Sequence, residues 1–194
     1  MAKIGIILIS DYHYGIVRNH YSLTEMVRDY ILNETSVTQD NDISFRHIIA
    51  KDISSMCRVY PHKLEDLRFF IDSNDHNICF IALGMSNYKS GYNFGMFRTH
   101  YQGIISEIYN LSDNVNVVNI CGKINNNLKG HFSYNYLNIT SSIETISNEN
   151  NSNIIYPDIK ILFLNNGDYV ISTKTIPNMI KCICKEIINY QDLL

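Results

Sequence analysis

The stretch N-V-V-N-I-C-G, residues 116–122, carries the strand signal around which the chain can be interpreted. Together with Val115 it forms a short apolar run rich in β-branched residues, bounded by Asp113-Asn114 before it and Gly122 after it. Such a run between turn residues is typical of a buried strand in a covered sheet. Cys121 ends the run, at the strand end where α/β folds usually bind ligands. The stretch therefore predicts a central strand with a candidate site at its carboxyl end.

The flanking sequence alternates between strand and helix patterns. Apolar runs predict strands at 3–10, 43–50, 77–83, 115–121 and 159–164. Helical spacing of apolar residues predicts helices at 22–33, 61–71, 100–111 and 177–190, and the glycines and aromatics of 88–98 predict a hairpin or ordered loop. This alternation predicts an α/β fold with a mostly parallel sheet of about five strands and helices on both faces.

One segment differs in composition from the rest of the chain. Residues 138–153 are almost all Asn, Ser, Thr, Ile and Glu, without a steady period, which predicts a mobile connector. We therefore expect a single domain over 1–194, made of a part at 1–137, a mobile linker at 138–156 and a smaller part at 157–194.

Composition excludes several classes of function. A net charge of −3 with no cluster of Lys or Arg argues against nucleic acid and membrane surfaces as partners. The longest apolar run, Ile4–Ile9, is too short to span a bilayer and lacks a cleavage site after it, so we expect a strand and no signal peptide. Five cysteines without a C-x-x-C pair predict reduced thiols and a cytoplasmic location. No spacing of Cys and His predicts a metal site, and no glycine-rich phosphate loop predicts a cofactor.

Three segments carry a resemblance to a known family. They are 119–123 (N-I-C-G-K), Arg18 ahead of the first helix, and 157–163 (P-D-I-K-I-L-F) continuing into 167–170 (G-D-Y-V). In order and spacing they resemble the caspase family over nearly the whole chain. The resemblance implies a caspase-like three-layer αβα sandwich, with Cys121 at the nucleophile position. It also implies Arg18, Lys174 and Tyr169 as binding residues.

The departures from the caspase pattern imply a loss of activity. Met85 occupies the position of the catalytic histidine, the pocket segment is reduced to Ser172-Thr173-Lys174, and the linker contains no aspartate for activation cleavage. The terminal strand through which caspases dimerise is also missing. The resemblance thus implies a catalytically dead, virus-encoded homologue that inhibits apoptosis as a decoy. Its partner would be a caspase or a caspase-pathway regulator, and it would be a monomer or a non-standard dimer.

Two alternatives remain open from the residues. One is a cysteine peptidase in which Cys121 uses a relocated base, with His13 preferred over His20 and His131, because a thiol acts as a nucleophile only as its thiolate. The other is a flavodoxin-like domain that binds a small molecule along Ser10, Gly84 and Gly122 at the carboxyl ends of the strands.

Overall fold

The computed structural model describes residues 2–12, 16–18, 21–34, 42–88, 93–124, 130–165 and 169–191. Its strands are β1 (Lys3–Asp11), β2 (Ile16–Arg18), β3 (Tyr21–Ser22), β4 (Asp42–Ala50), β5 (His76–Ala82), β6 (Val115–Ile120), β7 (Lys123–Ile124), β8 (Asn153–Ile155), β9 (Asp158–Ile159), β10 (Ile161–Phe163) and β11 (Tyr169–Ile171). Its α-helices are α1 (Leu23–Glu34), α2 (Ile53–Val59), α3 (Leu64–Asp72), α4 (Phe94–Leu111), α5 (Gly130–Glu149) and α6 (Ile176–Gln191). Two 3-10 turns cover Tyr60–Lys63 and Met85–Asn87.

The central sheet has five parallel strands in the order β4-β1-β5-β6-β8. The chain passes from β1 outward to β4 and then returns to β5 on the other side of β1, so the strand order reverses beside β1. In open α/β sheets, ligands bind at the carboxyl ends of the strands next to such a reversal. The predicted α/β class, with its mostly parallel five-stranded sheet, is confirmed.

Two groups of helices cover the sheet in a three-layer arrangement. Helix α1 packs against α6, while α2 and α5 both pack against α4. Strands β1, β5 and β6 are buried over almost their whole length, which explains why their sequences are apolar runs without alternation. Among the described residues, no helix is long and apolar enough to cross a membrane.

A buried polar network ties α4, α5 and the start of β8 to β6. The hydroxyl of Tyr101 on α4 donates to Asn119 Oδ1 at 2.8 Å. Asn119 Nδ2 donates to Ser147 Oγ on α5 and to Ser152 Oγ ahead of β8, each at 2.8 Å. Asn119 is fully buried, so these bonds replace the water that its amide loses on folding.

The segment 138–156 differs from the predicted connector in its secondary structure. Helix α5 runs through it to Glu149, and β8 follows and joins the central sheet. Ile139, Ile143 and Ile146 lie on one side of the helix and are fully buried. Intervening polar side chains bond to the backbone carbonyl four residues earlier, as Ser142 does to Asn138. Burial of three isoleucines therefore outweighs the poor helix propensity of the polar residues.

Two other elements differ from expectation. The segment predicted as the fifth strand, 159–164, lies outside the central sheet, where β10 pairs antiparallel with β11. The segment 88–98, predicted as a hairpin or loop, includes the first turns of α4 from Phe94 onward. Asn93 begins that helix because its Oδ1 accepts a hydrogen bond from the backbone N–H of Met96 at 3.2 Å.

Candidate functional site

Asp11 organises the carboxyl edge of the sheet. It is the last residue of β1 and is fully buried. Its Oδ2 accepts hydrogen bonds from the backbone N–H groups of Gly84 and Ser86, each at 3.0 Å. Since Gly84 and Ser86 lie in the loop after β5, this carboxylate joins the ends of two adjacent strands across the point where the strand order reverses.

Gly84 allows that loop to turn directly after β5. Its φ of +109° lies in the region that side chains disfavour. A Cβ at this position would also lie 2.8 Å from Ile139 Cγ2 and 3.0 Å from Phe97 Cζ. A residue other than glycine would therefore displace both the turn and the amides that bind Asp11.

Ser10 and His47 form a hydrogen-bonded pair next to Asp11. Ser10 Oγ and His47 Nε2 are 2.8 Å apart. In the parallel register, His47 of β4 lies opposite Leu8, two residues before Ser10, so both side chains lie on the same face of the sheet. The pairing of a hydroxyl with an imidazole nitrogen at this distance is the arrangement in which histidine activates a serine nucleophile.

Two opposing effects set the protonation of His47. Burial lowers the pKa of His47 to about 4. The negative charge of Glu25 on α1 favours the protonated imidazole and opposes part of this lowering. His47 is therefore neutral at pH 7 and can accept a proton at one ring nitrogen. Glu25 would stabilise the imidazolium that forms when His47 takes a proton, which is the role of the acidic member of a catalytic triad.

Cys121 lies at the carboxyl end of β6, where the sequence predicted it. Its thiol is not in the ionised form that a nucleophile requires. It is buried, and burial raises its pKa to about 11, against a lowering effect of the Thr140 hydroxyl. The thiol is therefore protonated at neutral pH, and a protonated thiol is a poor nucleophile.

The structure brings together two of the other predicted site residues. Met85 is buried in the 3-10 turn after β5, and its carbonyl accepts a hydrogen bond from the Tyr169 hydroxyl. Lys174 is exposed near the start of α6. Arg18 ends β2, but its side chain lies outside the described part of the chain, and so do His13, His20 and the side chain of His131.

An aromatic cluster lies next to the loop after β5. Phe132 at the start of α5 makes edge-to-face contacts with Tyr88, Tyr169 and Phe163, at ring-centroid distances of 5.4, 5.0 and 5.2 Å. The cluster joins the β10–β11 hairpin to the loop that Asp11 holds. Such edge-to-face pairs stabilise beyond the area that they bury.

Sequence reasoning missed Asp11, His47 and Glu25 as site residues. Asp11 had a usable signal, because it is a carboxylate directly after a buried strand. His47 sits within the predicted strand 43–50, directly after Arg46 and before Ile48 and Ile49. Ser10 was placed at this edge, together with Gly84 and Gly122, as part of the small-molecule alternative.

No protein-family model and no curated protein matches the chain. Solved structures do match it over most or all of its length. The psychrotrophic esterase EstA from Pseudoalteromonas sp. is 16% identical, with 95% of this chain and 98% of that chain covered and a TM-score of 0.64. A carbohydrate esterase of family 3 from Talaromyces cellulolyticus is 12% identical with complete coverage of both chains and a TM-score of 0.67. An acetyl esterase carrying an S10A substitution, in complex with an acetate ion, gives the same identity, coverage and TM-score.

These matches overturn the caspase interpretation. The chain has the fold of esterases and lipases, and the identities are low enough that the likeness concerns the fold alone. The caspase resemblance failed because it rested on the order and spacing of short segments around Cys121, Arg18 and 157–170. The supposed start of the small subunit is a hairpin outside the central sheet. The predictions of a dead homologue, a viral decoy and an inhibitor of apoptosis are wrong with it. The cysteine peptidase alternative fails because the Cys121 thiol is protonated, and the small-molecule-binding alternative gives way to the esterase likeness.

Proposed function

We propose that this chain is a hydrolase of carboxylic esters, with Ser10 as nucleophile, His47 as general base and Glu25 as the charge that stabilises the imidazolium. The observation that carries the proposal is the 2.8 Å contact between Ser10 Oγ and His47 Nε2 at the end of β1. The esterase fold over the full chain supports the reaction class.

The chemistry follows from the arrangement of these groups. Ser10 Oγ attacks the ester carbonyl carbon while His47 Nε2 takes the hydroxyl proton. The carbon–oxygen bond to the alcohol then breaks, and the alcohol leaves with the proton from His47. Water, deprotonated by His47, cleaves the acyl–Ser10 ester and restores the serine. The Asp11 carboxylate contributes by holding the loop at Gly84 and Ser86 beside the end of β1.

Burial of Ser10 sets a requirement for access. The residue is fully buried, so the side chains over the end of β1 must shift before a substrate can contact Oγ. Movements of this kind are common in enzymes that exclude water from the reaction. An unbranched ester requires the smallest shift.

A test compares p-nitrophenyl acetate hydrolysis by the wild type with hydrolysis by Ser10→Ala and His47→Gln. We expect both changes to lower kcat by about 100-fold or more, since each removes a member of the pair. Ser44→Ala is a matched control because Ser44 also lies on the sheet and hydrogen-bonds a side chain, Asn74 Oδ1, at 2.8 Å. Wild-type rates in folded Ser10→Ala protein would reject the assignment.

Covalent labelling gives an independent readout. An activated alkyl phosphonate ester, whose phosphorus serine hydrolases attack with loss of its leaving group, should phosphonylate the wild type at Ser10, as located by peptide mass spectrometry. Ser10→Ala should remain unmodified. The EstA structure is described as inhibited by monoethylphosphonate, which makes a phosphonate the natural probe.

The setting of the reaction is part of the proposal. The five cysteines are free thiols, which suits the reducing cytoplasm. We also expect the substrate to be a small molecule and not a nucleic acid, since the net charge is −3. We expect a monomer or a non-standard dimer, and sedimentation measurements of the molecular mass test this expectation.

A further inference from the structure

Strand β4 forms one border of the central sheet. It pairs with β1 on one side, and among the residues that the structure describes no strand pairs with it on the other. Every second one of its nine residues therefore directs its backbone N–H and C=O away from the sheet. The opposite border, β8, has only three residues. The free side of β4 is thus the longer of the two borders at which a further strand can pair.

A groove of about 450 Å³ runs along this free side. It is lined by five consecutive residues of β4, 45–49, and by Val59 and Lys63 from α2 and the turn that follows it. None of the residues of β1, all of which the structure describes, lines the groove, so it faces away from the rest of the sheet. We call it the edge groove. It borders roughly 15 Å of strand and therefore suits an extended ligand.

The two walls of the edge groove differ in chemistry. Successive side chains of a strand lie on opposite faces, so Arg46 is on one face and Phe45 and Ile49 are on the other. Lys63 lies on the face of Arg46, because Lys63 Nζ and Arg46 Nη2 are 4.0 and 3.3 Å from Asp66 Oδ2. One wall is therefore cationic and the other is mainly apolar.

Charge indicates which strand the edge groove accepts. The two cations pair with one carboxylate, that of Asp66, and no carboxylate of the described residues lines the groove itself, so the cationic wall keeps a net positive charge. The side chains of Arg46 and Lys63 are 45% and 50% exposed and can contact a ligand. On the other wall, the negative charge of Glu25 acts on His47 and disfavours an acidic group there. An antiparallel pair of two β4 strands would bring two cationic walls together, which disfavours a second copy of this chain.

We propose that the edge groove binds an extended peptide of a protein partner, which adds to β4 as a strand and alternates acidic with apolar side chains. The acidic side chains lie against Arg46 and Lys63, and the apolar ones lie against Phe45 and Ile49. Backbone hydrogen bonds provide affinity and the alternate side chains provide selectivity, as in other peptides that extend a sheet. The inference goes beyond the proposed hydrolase function and does not depend on it, because it concerns the free side of β4 and not the hydroxyl of Ser10.

The first experiment measures the binding of a fluorescein-labelled peptide by fluorescence anisotropy. The peptide alternates Glu and Val over nine residues, the length of β4. In one control peptide Lys replaces Glu, which reverses the charge. In a second one Pro replaces Val, which keeps the charge but prevents strand pairing. We expect both controls to bind at least about tenfold more weakly than the Glu–Val peptide. No binding of the Glu–Val peptide, or equal binding of either control, would overturn the inference.

Variants of the protein test the cationic wall. Arg46→Gln combined with Lys63→Gln should weaken binding of the Glu–Val peptide about tenfold, since both changes remove a positive charge from the groove. Arg98→Gln combined with Lys123→Gln is the matched control. Arg98 is half-exposed and pairs with Glu149, as Arg46 pairs with a carboxylate, and Lys123 is exposed on β7. This control should bind the peptide like the wild type. Equal weakening in both double variants would show that the net charge of the protein, and not the groove, governs binding.

Hydrogen exchange followed by mass spectrometry locates the bound peptide. The Glu–Val peptide should slow exchange of the amides in 42–50, because those on the free side of β4 gain hydrogen-bond partners, and the Glu–Pro peptide should not. Protection in other segments without protection of 42–50 would contradict the proposal. So would protection of 42–50 that rises with protein concentration in the absence of peptide, since β4 would then pair with a second copy.

Discussion

At the scale of single residues, the protonation of His47 predicts a pH dependence of stability. Its pKa is about 4 in the folded protein and about 6.5 in the unfolded chain, so the unfolded state binds more protons between these values. Stability is therefore fully present above about pH 6.5 and is lost as the pH falls toward 4. The loss should reach about 3 kcal/mol by the folded pKa.

Urea unfolding of the wild type and of His47→Gln at pH 7 and pH 4.5 measures this effect. Other groups also titrate in this range, so the difference between the two proteins is the informative quantity. We expect the wild type to lose about 2 kcal/mol more than His47→Gln over the interval. His62→Gln, a change at an exposed histidine, should behave like the wild type. Identical losses in all three proteins would show that His47 is not buried in its neutral form.

The thiol of Cys121 gives a second prediction at this scale. Because burial raises its pKa to about 11, iodoacetamide at pH 7.5 should leave Cys121 unmodified in the folded protein and modify it in urea. Peptide mass spectrometry assigns the label. The half-buried Cys57 and Cys182 serve as internal references that should react sooner than Cys121. Early labelling of Cys121 would restore it as a candidate nucleophile.

At the scale of secondary structure elements, helix α5 predicts slow hydrogen exchange where the sequence suggested a mobile connector. The amides of Ile143 and Ile146 belong to a helix whose buried face packs on α4. Hydrogen exchange followed by mass spectrometry should therefore show peptides from 139–149 as protected as those from β6. Peptides from 182–191 provide a comparison within another helix. Complete exchange of 139–149 within seconds would mean that the helix is not formed in solution.

The contrast between the elements that were predicted and those that were not has a physical basis. Strands β1, β5 and β6 were predicted within two residues because a fully buried strand requires an unbroken apolar run, which is a local property. Helix α5 was missed because its apolar residues are sparse among Asn, Ser and Thr, and the burial that stabilises it comes from distant parts of the chain. The same holds for the site. Ser10 could be placed from its position after an apolar run, whereas its partner His47 lies 37 residues away and meets it only through the register of two strands.

At the scale of the whole molecule, Asn119 connects the layers and predicts a large loss of stability on substitution. Asn119→Ala would remove the acceptor of the Tyr101 hydroxyl and one hydrogen bond from each of the Ser147 and Ser152 hydroxyls. We expect a cost of about 3 kcal/mol in the free energy of unfolding, measured in urea. Asn116→Ala, on the same strand but only partly buried, should cost less than about 1 kcal/mol. Equal effects of the two changes would mean that the network contributes nothing beyond the strand itself.

The hydrogen bond between Tyr169 and Met85 has a consequence for how the protein is made. Tyr169 and Met85 are separated by 84 positions. Helix α1 likewise packs against α6, which follows much later in the sequence. A growing polypeptide leaves the ribosome from its amino terminus, so the loop at Met85 emerges long before the tyrosine that holds it. Contacts of such wide separation form slowly, because the intervening chain must be ordered first. The loop at Met85 therefore gains the contact that holds it only after 84 further residues have been synthesised.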